Sequence, residues 1–289
     1  MTESVKAYAK INLHLDIIGI RDDGFHNVET VMQTLSLCDT VSVILKDSKD
    51  ISCECDVEGV PTDEKNIAVK AAKLYLSTVG IESGAHIKIG KRIPMAAGLA
   101  GGSTDAAATL TALNKLCGNR LTARELCDLG ASLGADVPFC IVGGCSYSDG
   151  KGDILHPFPS IPENTVFVVA CGGEGVSTPW GYGLMDRTYN NFTDYTPKGT
   201  ENLKNALLSD SPEEFAYNLF NIFEEPVLRE RPVAAKIKRI MLDAGAKAAM
   251  MSGSGPSVYG IFNNTEDAER AADIIKNNGY FAQICFPTQ

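Results

Sequence analysis

A run of small residues between a predicted strand and a predicted helix constrains this chain more than any other feature. It reads Lys91-Arg92-Ile93-Pro94-Met95-Ala96-Ala97-Gly98-Leu99-Ala100-Gly101-Gly102-Ser103-Thr104-Asp105 and continues into an alanine-rich helix predicted over residues 103–117. Small side chains let a backbone approach a bulky anion, and a helix begins with unpaired N–H groups of partial positive charge. Residues 94–104, the glycine-rich loop, therefore predict a phosphate site, although a closely packed strand-to-helix turn would have the same composition.

The register of the glycine-rich loop excludes two common phosphate-binding motifs. A P-loop needs a lysine directly after its second glycine, and no lysine follows Gly101 or Gly102. The dinucleotide fingerprint needs a glycine two positions after its first, where this chain has Ala100 after Gly98. A nicotinamide-dependent oxidoreductase is therefore the weaker interpretation.

Composition narrows the class of protein. The 289 residues include 26 Lys+Arg and 36 Asp+Glu, which gives a net charge of −10 and argues against broad nucleic-acid or anionic-membrane binding. No apolar run reaches the roughly 18–20 residues that span a bilayer, and the N-terminal segment lacks the layout of a signal peptide. Nine cysteines without paired metal-ligand spacing predict reduced thiols. We expect a cytoplasmic protein with one large or two modest domains.

The first segment is the clearest predicted strand. Apolar residues occupy the odd positions from Val5 to Ile17, so Lys10, Asn12 and His14 share the polar face. Further strands are predicted over residues 28–37, 40–45 and 85–93. Helices are predicted over residues 66–79, over 103–117, and from a capping box at residues 122–125 to Gly134.

A proline-rich segment, residues 156–162, predicts the domain boundary. The N-terminal domain would cover residues 1–157 and the C-terminal domain residues 158–289. In the second domain, strands are predicted over residues 165–171, 246–252, 257–262 and 280–286, a helix over 265–277, and mainly helix over 201–244. Late strands that flank a helix predict a small α+β domain.

Residues 94–107 resemble the ATP loop of the GHMP kinases, a superfamily of small-molecule kinases, and Met251-Ser252-Gly253-Ser254-Gly255-Pro256-Ser257 resembles their C-terminal glycine motif. Residues 7–13, 21–26 and 133–139 are similar to the branch that phosphorylates a hydroxyl of 4-diphosphocytidyl-2-C-methyl-D-erythritol in the non-mevalonate route to isoprenoid precursors. The resemblance implies an α+β fold of two domains. An ATP-binding α/β domain would precede a ferredoxin-like α+β domain, with the active site in the cleft between them.

The resemblance also implies a catalytic pair. Asp136 would accept the proton of the substrate hydroxyl, and Lys10 would stabilise the carboxylate and screen the phosphate charges. Read alone, Asp136 would be a helix N-cap and Lys10 a solvated strand residue.

The substrate carries a cytidine diphosphate group, and the resemblance implies residues for it. Phe25, where family members often have Tyr, would stack on the cytosine, and His26 would hydrogen-bond the edge of the base. Tyr182 would be the second aromatic, with Trp180 as its rival. The remaining implied substrate-binding residues are Asn12 and Thr178.

ATP is the implied phosphoryl donor, with Mg²⁺ as its counter-ion. Ala100 stands where many family members have Gly, which is tolerable only if its φ is not positive. Ser103 is a candidate magnesium ligand, although the metal ligands and the oligomeric state stay open. The implied ATP-binding residues are Pro94, Met95, Ala96, Ala97, Gly98, Leu99, Ala100, Gly101, Gly102, Ser103 and Thr104, with Asn66 and Lys91 at the adenine.

Two alternatives share the fold. The first is a kinase of another small alcohol (mevalonate, homoserine or a sugar), against which the segment Asp23-Gly24-Phe25-His26 argues. The second is a non-catalytic ligand sensor, which the presence of both Lys10 and Asp136 disfavours.

Overall fold

Two long strands, β1 (Thr2–Ile20) and β2 (His26–Lys46), are neighbours in a sheet of the computed structural model, which describes residues 2–209 and 212–288, without the side chain of Pro212. The chain forms two compact units. The first contains residues Met1–Ala9, Leu37–Pro94 and Ala100–Gly143, and the second contains Lys10–Ser36, Met95–Leu99 and Gly144–Gln289. The boundary between residues 157 and 158 stays a prediction.

The first unit packs helices against a sheet. In it, β4 pairs with β2 in antiparallel register from Thr40↔Gly90 to Lys46↔Gly84, and β3 pairs in parallel with β4. Alanine, valine and isoleucine side chains of these strands and of α1 and α2 form one buried core. The bounds are β3 (Ile51–Cys55), α1 (Ile67–Val79), β4 (Gly84–Gly90), α2 (Gly101–Leu116), α3 (Ala123–Ala131) and α4 (Val137–Val142).

Local signals fix the ends of these helices. Asn66 accepts a hydrogen bond from the backbone at the start of α1, and Gly80 ends that helix in the left-handed conformation. Thr122 and Glu125 form the predicted capping box of α3. However, α3 ends at Ala131 rather than at Gly134.

The second unit contains a four-stranded antiparallel sheet with the order β11-β7-β10-β9. With α9 before β9 and α10 before β11, the elements follow the ferredoxin-like sequence β-α-β-β-α-β, which confirms the predicted α+β fold. The bounds are β5 (Cys145–Asp149), β6 (Ile154–Pro157), β7 (Val166–Cys171), α5 (Thr178–Thr188), α6 (Glu201–Leu208), α7 (Pro212–Tyr217), β8 (Phe220–Asn221), α8 (Glu224–Glu230), α9 (Pro232–Asp243), β9 (Ala248–Met251), β10 (Val258–Phe262), α10 (Thr265–Asn277) and β11 (Phe281–Cys285).

The segment predicted as mainly helical over residues 201–244 contains α6 to α9 with the short strand β8 between them; its residues 210 and 211 lie outside the described residues. In the same unit, β1 pairs in parallel with β8, and β2 pairs with β5, which pairs with β6. The sequence did not predict β3, β5, β6 or β8, which are short or polar.

One prediction about the long strands was wrong. The two strands predicted over residues 28–37 and 40–45 are the single strand β2, because the polar Asp39 between them is buried and hydrogen-bonded rather than at a turn. Lys10, Asn12 and His14 share one face of β1, and this face is buried, since all three residues are at most 4% exposed. Within the described part of the chain, no helix is long and apolar enough to span a membrane.

Candidate functional site

The first part of the glycine-rich loop packs backbone to backbone against the C-terminal glycine motif (residues 251–257). The Ser252 hydroxyl donates to the Gly98 carbonyl at 2.9 Å. Gly98 has a φ of +77°, and a Cβ atom there would lie 2.2 Å from the Ser252 carbonyl oxygen. A Cβ atom on Gly253 would likewise lie 3.0 Å from the Gly98 carbonyl oxygen. Only glycine fits at residue 98, because both the backbone angle and the space exclude a side chain.

The second part of the loop leads into the N-terminus of α2. Ala100 is the N-cap residue, and no described side chain caps this end of the helix. The N–H groups of the first turn therefore lack a side-chain capping oxygen, and uncapped N–H groups of this kind suit an anion. Ala100 has a φ of +57°, so this chain has an alanine in the conformation for which the condition of tolerance is not met. This conformation costs an alanine roughly 1–2 kcal/mol.

Two of the predicted ATP-binding side chains, those of Thr104 and Asn66, already have hydrogen-bond partners in the protein. Thr104 donates its hydroxyl proton to the carbonyl of Tyr8 at 2.8 Å. Asn66 accepts from the backbone N–H of Ala68 and donates to the Pro61 carbonyl. The ATP-binding roles of Thr104 and Asn66 stay predictions, and any contact of theirs with a nucleotide would add to these bonds.

Lys91 lies in a buried ion cluster behind the loop. Its Nζ atom is 2.6 Å from Oδ2 of Asp39 and 2.6 Å from Oδ2 of Asp105. Burial alone would lower the pKa of Lys91, but the two carboxylates outweigh that effect and raise it. The ammonium is thus charged, and its predicted contact with adenine stays a prediction.

Asp136 stands at the N-cap position of α4. Its backbone has φ −77° and ψ −15°, and its side chain makes no capping hydrogen bond within the described part of the chain. The alternative in which Asp136 is only a helix cap therefore lacks the bond that defines a cap. Its carboxylate is consistent with the predicted base, which stays a prediction.

A relay of hydrogen bonds orients Lys10. The Nζ atom of Lys10 donates to Oδ1 of Asn12 at 2.7 Å, and Nδ2 of Asn12 donates to the Thr30 hydroxyl at 2.8 Å. Thr30 in turn donates to the carbonyl of His14 at 2.7 Å. Each group is buried and has a defined direction, so the ammonium is fixed in place. The sequence did not single out Thr30, because its partner lies on a different strand.

Phe25 presents an open aromatic face. Its side chain is among the exposed large hydrophobic groups, at 59% exposure, and Nζ of Lys151 lies 4.6 Å from the ring centroid. The turn before it is held by the ion pair between Arg21 and Asp23. An exposed ring on an ordered turn can stack with a flat base.

His26 and Tyr182 lie side by side in the second unit. Their ring centroids are 4.7 Å apart, and Nε2 of His26 is 2.7 Å from Oδ1 of Asp186. Trp180, the rival aromatic, instead stacks with the guanidinium of Arg231 at 4.6 Å. Tyr182 thus contacts His26 and Trp180 does not share that contact, while the choice of Tyr182 as the second base-stacking aromatic stays a prediction. Thr178 is the exposed first residue of α5.

Family models match both halves of the chain. The model of the N-terminal domain of GHMP kinases matches residues 66–144, and the model of the C-terminal domain matches residues 201–280. The chain belongs to the GHMP kinases.

Its curated relatives share a more particular name. A protein of Acetivibrio thermocellus is 45% identical over 286 residues, which cover 99% of this chain and 98% of the relative. A protein of Gloeobacter violaceus is 39% identical over 95% of this chain and 90% of the relative. Both are named 4-diphosphocytidyl-2-C-methyl-D-erythritol kinase.

Solved structures agree with this similarity. A crystal structure of 4-(cytidine 5'-diphospho)-2C-methyl-D-erythritol kinase matches with a TM-score of 0.78 and 31% identity, over 98% of this chain and 99% of that chain. The mevalonate kinase of L. major matches with a TM-score of 0.77 over 100% of this chain and 97% of that chain, but at 15% identity. The second match shows the fold alone.

Proposed function

We propose that this chain transfers the γ-phosphoryl group of ATP to a hydroxyl of 4-diphosphocytidyl-2-C-methyl-D-erythritol, giving the 2-phosphate and ADP. This reaction belongs to the non-mevalonate route to isoprenoid precursors. The observation that carries the proposal is the similarity of 38–45% identity, over at least 92% of the chain, to relatives named for this kinase.

Asp136 is proposed as the general base. A carboxylate is ionised at neutral pH and can accept the hydroxyl proton as the oxygen attacks the phosphorus. Lys10 supplies the fixed positive charge, which stabilises the negative charge that grows on the transferred group. The relay through Asn12 and Thr30 supports this role because it holds the ammonium in one orientation.

The glycine-rich loop is proposed to hold the phosphates of ATP. The uncapped N-terminus of α2 supports this, since its N–H groups suit anionic oxygens. The hydroxyl of Ser103 lies in the same first turn and offers the kind of oxygen that Mg²⁺ prefers. When bound, Mg²⁺ would screen the charge of the phosphate chain.

The cytidine end of the substrate is proposed to lie on Phe25. The exposed ring supports stacking on cytosine, and the adjacent His26 and Tyr182 offer a polar edge and a second aromatic surface. Thr178 and Asn12 are proposed as further polar contacts.

We also propose that the enzyme works in the cytoplasm on small molecules, without nucleic-acid or membrane partners. The net charge of −10 disfavours polyanionic partners. Its nine cysteines, all among the described residues, form no disulfide, which is in keeping with a reducing compartment.

An ATP-consumption assay across four alcohols tests the proposed reaction. The panel contains the cytidyl-erythritol compound, mevalonate, homoserine and galactose, and the Asp136→Asn variant serves as the matched inactive control. We expect turnover of the cytidyl compound alone, with the new phosphate ester visible by ³¹P NMR. Faster turnover of another alcohol would replace the proposed substrate, and ATP binding without any turnover would favour a sensor.

A further inference from the structure

The ammonium group of Lys91 joins the two ends of the glycine-rich loop. Besides its contacts with Asp39 and Asp105, Nζ donates to the backbone carbonyl of Gly101 at 3.1 Å. An ammonium has three N–H donors, so these three contacts use all of them. The side chain is 6% exposed, which leaves little of it for a ligand.

Asp39 holds the chain just before the loop. Its Oδ1 atom accepts hydrogen bonds from the backbone N–H groups of Arg92 and Ile93, the latter at 2.8 Å, while Oδ2 binds Lys91. On the other side of the loop, Asp105 belongs to the second turn of α2. Lys91 therefore links the segment just before the loop, which Asp39 holds, to Asp105 just after the loop.

The cluster contains one carboxylate more than its single cation can neutralise. The pKa of Asp105 is raised to about 7, because burial and the charge of Asp39 raise it by more than the charge of Lys91 lowers it. Oδ1 of Asp105 is buried, and no described group hydrogen-bonds it, which also disfavours the charged form.

We propose that Lys91 is a positioning residue, which together with Asp39 and Asp105 fixes the glycine-rich loop in the shape that receives phosphates and does not itself contact the nucleotide base. This inference rests on the proposed function, because it takes the phosphates of ATP as the ligand of the loop.

The first test separates a loop-positioning role from a base contact. The double variant Lys91→Gln/Asp105→Asn removes the cation and one carboxylate, so the net charge of the fully ionised cluster is unchanged. Binding of ATP and of inorganic tripolyphosphate, which has no base, is measured by calorimetry on the full chain. We expect both affinities to fall by a similar factor of at least about tenfold, equivalent to about 1.4 kcal/mol. The control is Lys88→Gln, which removes an exposed lysine of β4 that pairs with Glu54.

Each of the other possible results of this binding experiment leads to a single conclusion. Loss of ATP affinity with unchanged tripolyphosphate affinity would make Lys91 a base contact and overturn the inference. Unchanged affinity for both ligands, or a wild-type protein that binds ATP but not tripolyphosphate, would also overturn it. A wild-type protein that binds neither ligand would instead remove the proposed function.

The second test uses a milder variant in case the double variant does not fold. Asp105→Asn keeps an oxygen that accepts from Lys91 but replaces a charge-assisted hydrogen bond with a weaker one. At one fixed pH, we expect the affinities for ATP and for tripolyphosphate to fall by a similar factor of at least about threefold. A fall in ATP affinity alone, or no change in either affinity, would overturn the inference that this cluster holds the phosphate site.

Discussion

The Nζ atom of Lys10 donates to Oδ1 of Asn12 over 2.7 Å, and this short bond makes Asn12 a partner of the proposed catalytic ammonium. The same amide group donates to Thr30, so the relay joins three side chains on two neighbouring strands. A substitution of Thr30, the residue of the relay that does not contact Lys10, can change catalysis without removing a group that the substrate contacts.

Thr30→Val tests whether this relay orients Lys10. The variant keeps the shape of the side chain but leaves Nδ2 of Asn12 buried without an acceptor, so the ammonium of Lys10 loses its fixed direction. We expect kcat to fall about tenfold while the KM for ATP changes little. Thr30→Ser keeps the hydroxyl and should retain most of kcat. A Thr30→Val enzyme with wild-type kcat would show that the relay does not orient Lys10.

Asp136→Asn tests the proposed base. The amide is close in size but cannot accept the hydroxyl proton as a carboxylate does, so kcat should fall at least about 10²-fold. ATP affinity, measured by calorimetry, should stay within about twofold of the wild-type value. Near-normal turnover would exclude Asp136 as the base.

Phe25→Ala tests base stacking. Stacking of a nucleobase on an aromatic ring contributes about 1–3 kcal/mol, so the KM for the cytidine substrate should rise about tenfold or more. The KM for ATP should not change, and Phe25→Tyr, which keeps the ring, should resemble the wild type. Equal increases in both KM values would place the effect outside the cytidine site.

Gly98→Ala tests the contact between the two glycine segments. The new methyl group would clash with the Ser252 carbonyl oxygen, and the alanine would also have to adopt a positive φ. Gly80→Ala is the matched control, because Gly80 has a similar φ of +67° and no described atom lies within 4 Å of its would-be Cβ atom. We expect the free energy of unfolding in urea to fall at least about 2 kcal/mol further for Gly98→Ala than for the control. Equal losses would mean that the backbone angle alone matters.

Asp105 should make stability depend on pH. Its pKa is about 7 in the folded protein and 3.8 as its ordinary value, so the folded state binds more protons between these limits. The stabilising contribution is therefore complete below about pH 4 and is lost as the pH rises through 7, with a slope of at most about 1.4 kcal/mol per pH unit. Urea unfolding at pH 5.5 and 8 should show this loss in the wild type and a smaller one in Asp105→Asn. The same slope in both proteins would assign the dependence to other groups.

Local patterns predicted much of this structure. Alternation identified β1, a capping box identified α3, and spacing identified α10 over residues 265–277. These signals depend on neighbours within a few residues, which the sequence displays directly.

Long-range contacts could not be predicted in the same way. Asp39 was expected at a break between two strands, whereas its partner Lys91 lies 52 positions further along the chain and allows the carboxylate to be buried. Thr30 is similar, because its role depends on the amide of Asn12 on the adjacent strand. The family motifs identified the candidate catalytic residues, but supporting residues such as Asp39 and Thr30 could be identified only from their contacts in the structure.

The contact of Gly98 with Ser252 and Gly253 has a consequence for how this enzyme can vary. The backbones of the two segments touch there and the Ser252 hydroxyl bonds the Gly98 carbonyl, so neither segment can shift to admit a larger residue unless the other shifts as well. Substitutions on the two sides should therefore be non-additive, and a chain that lost one of these glycines would have to find its compensating change more than 150 positions away.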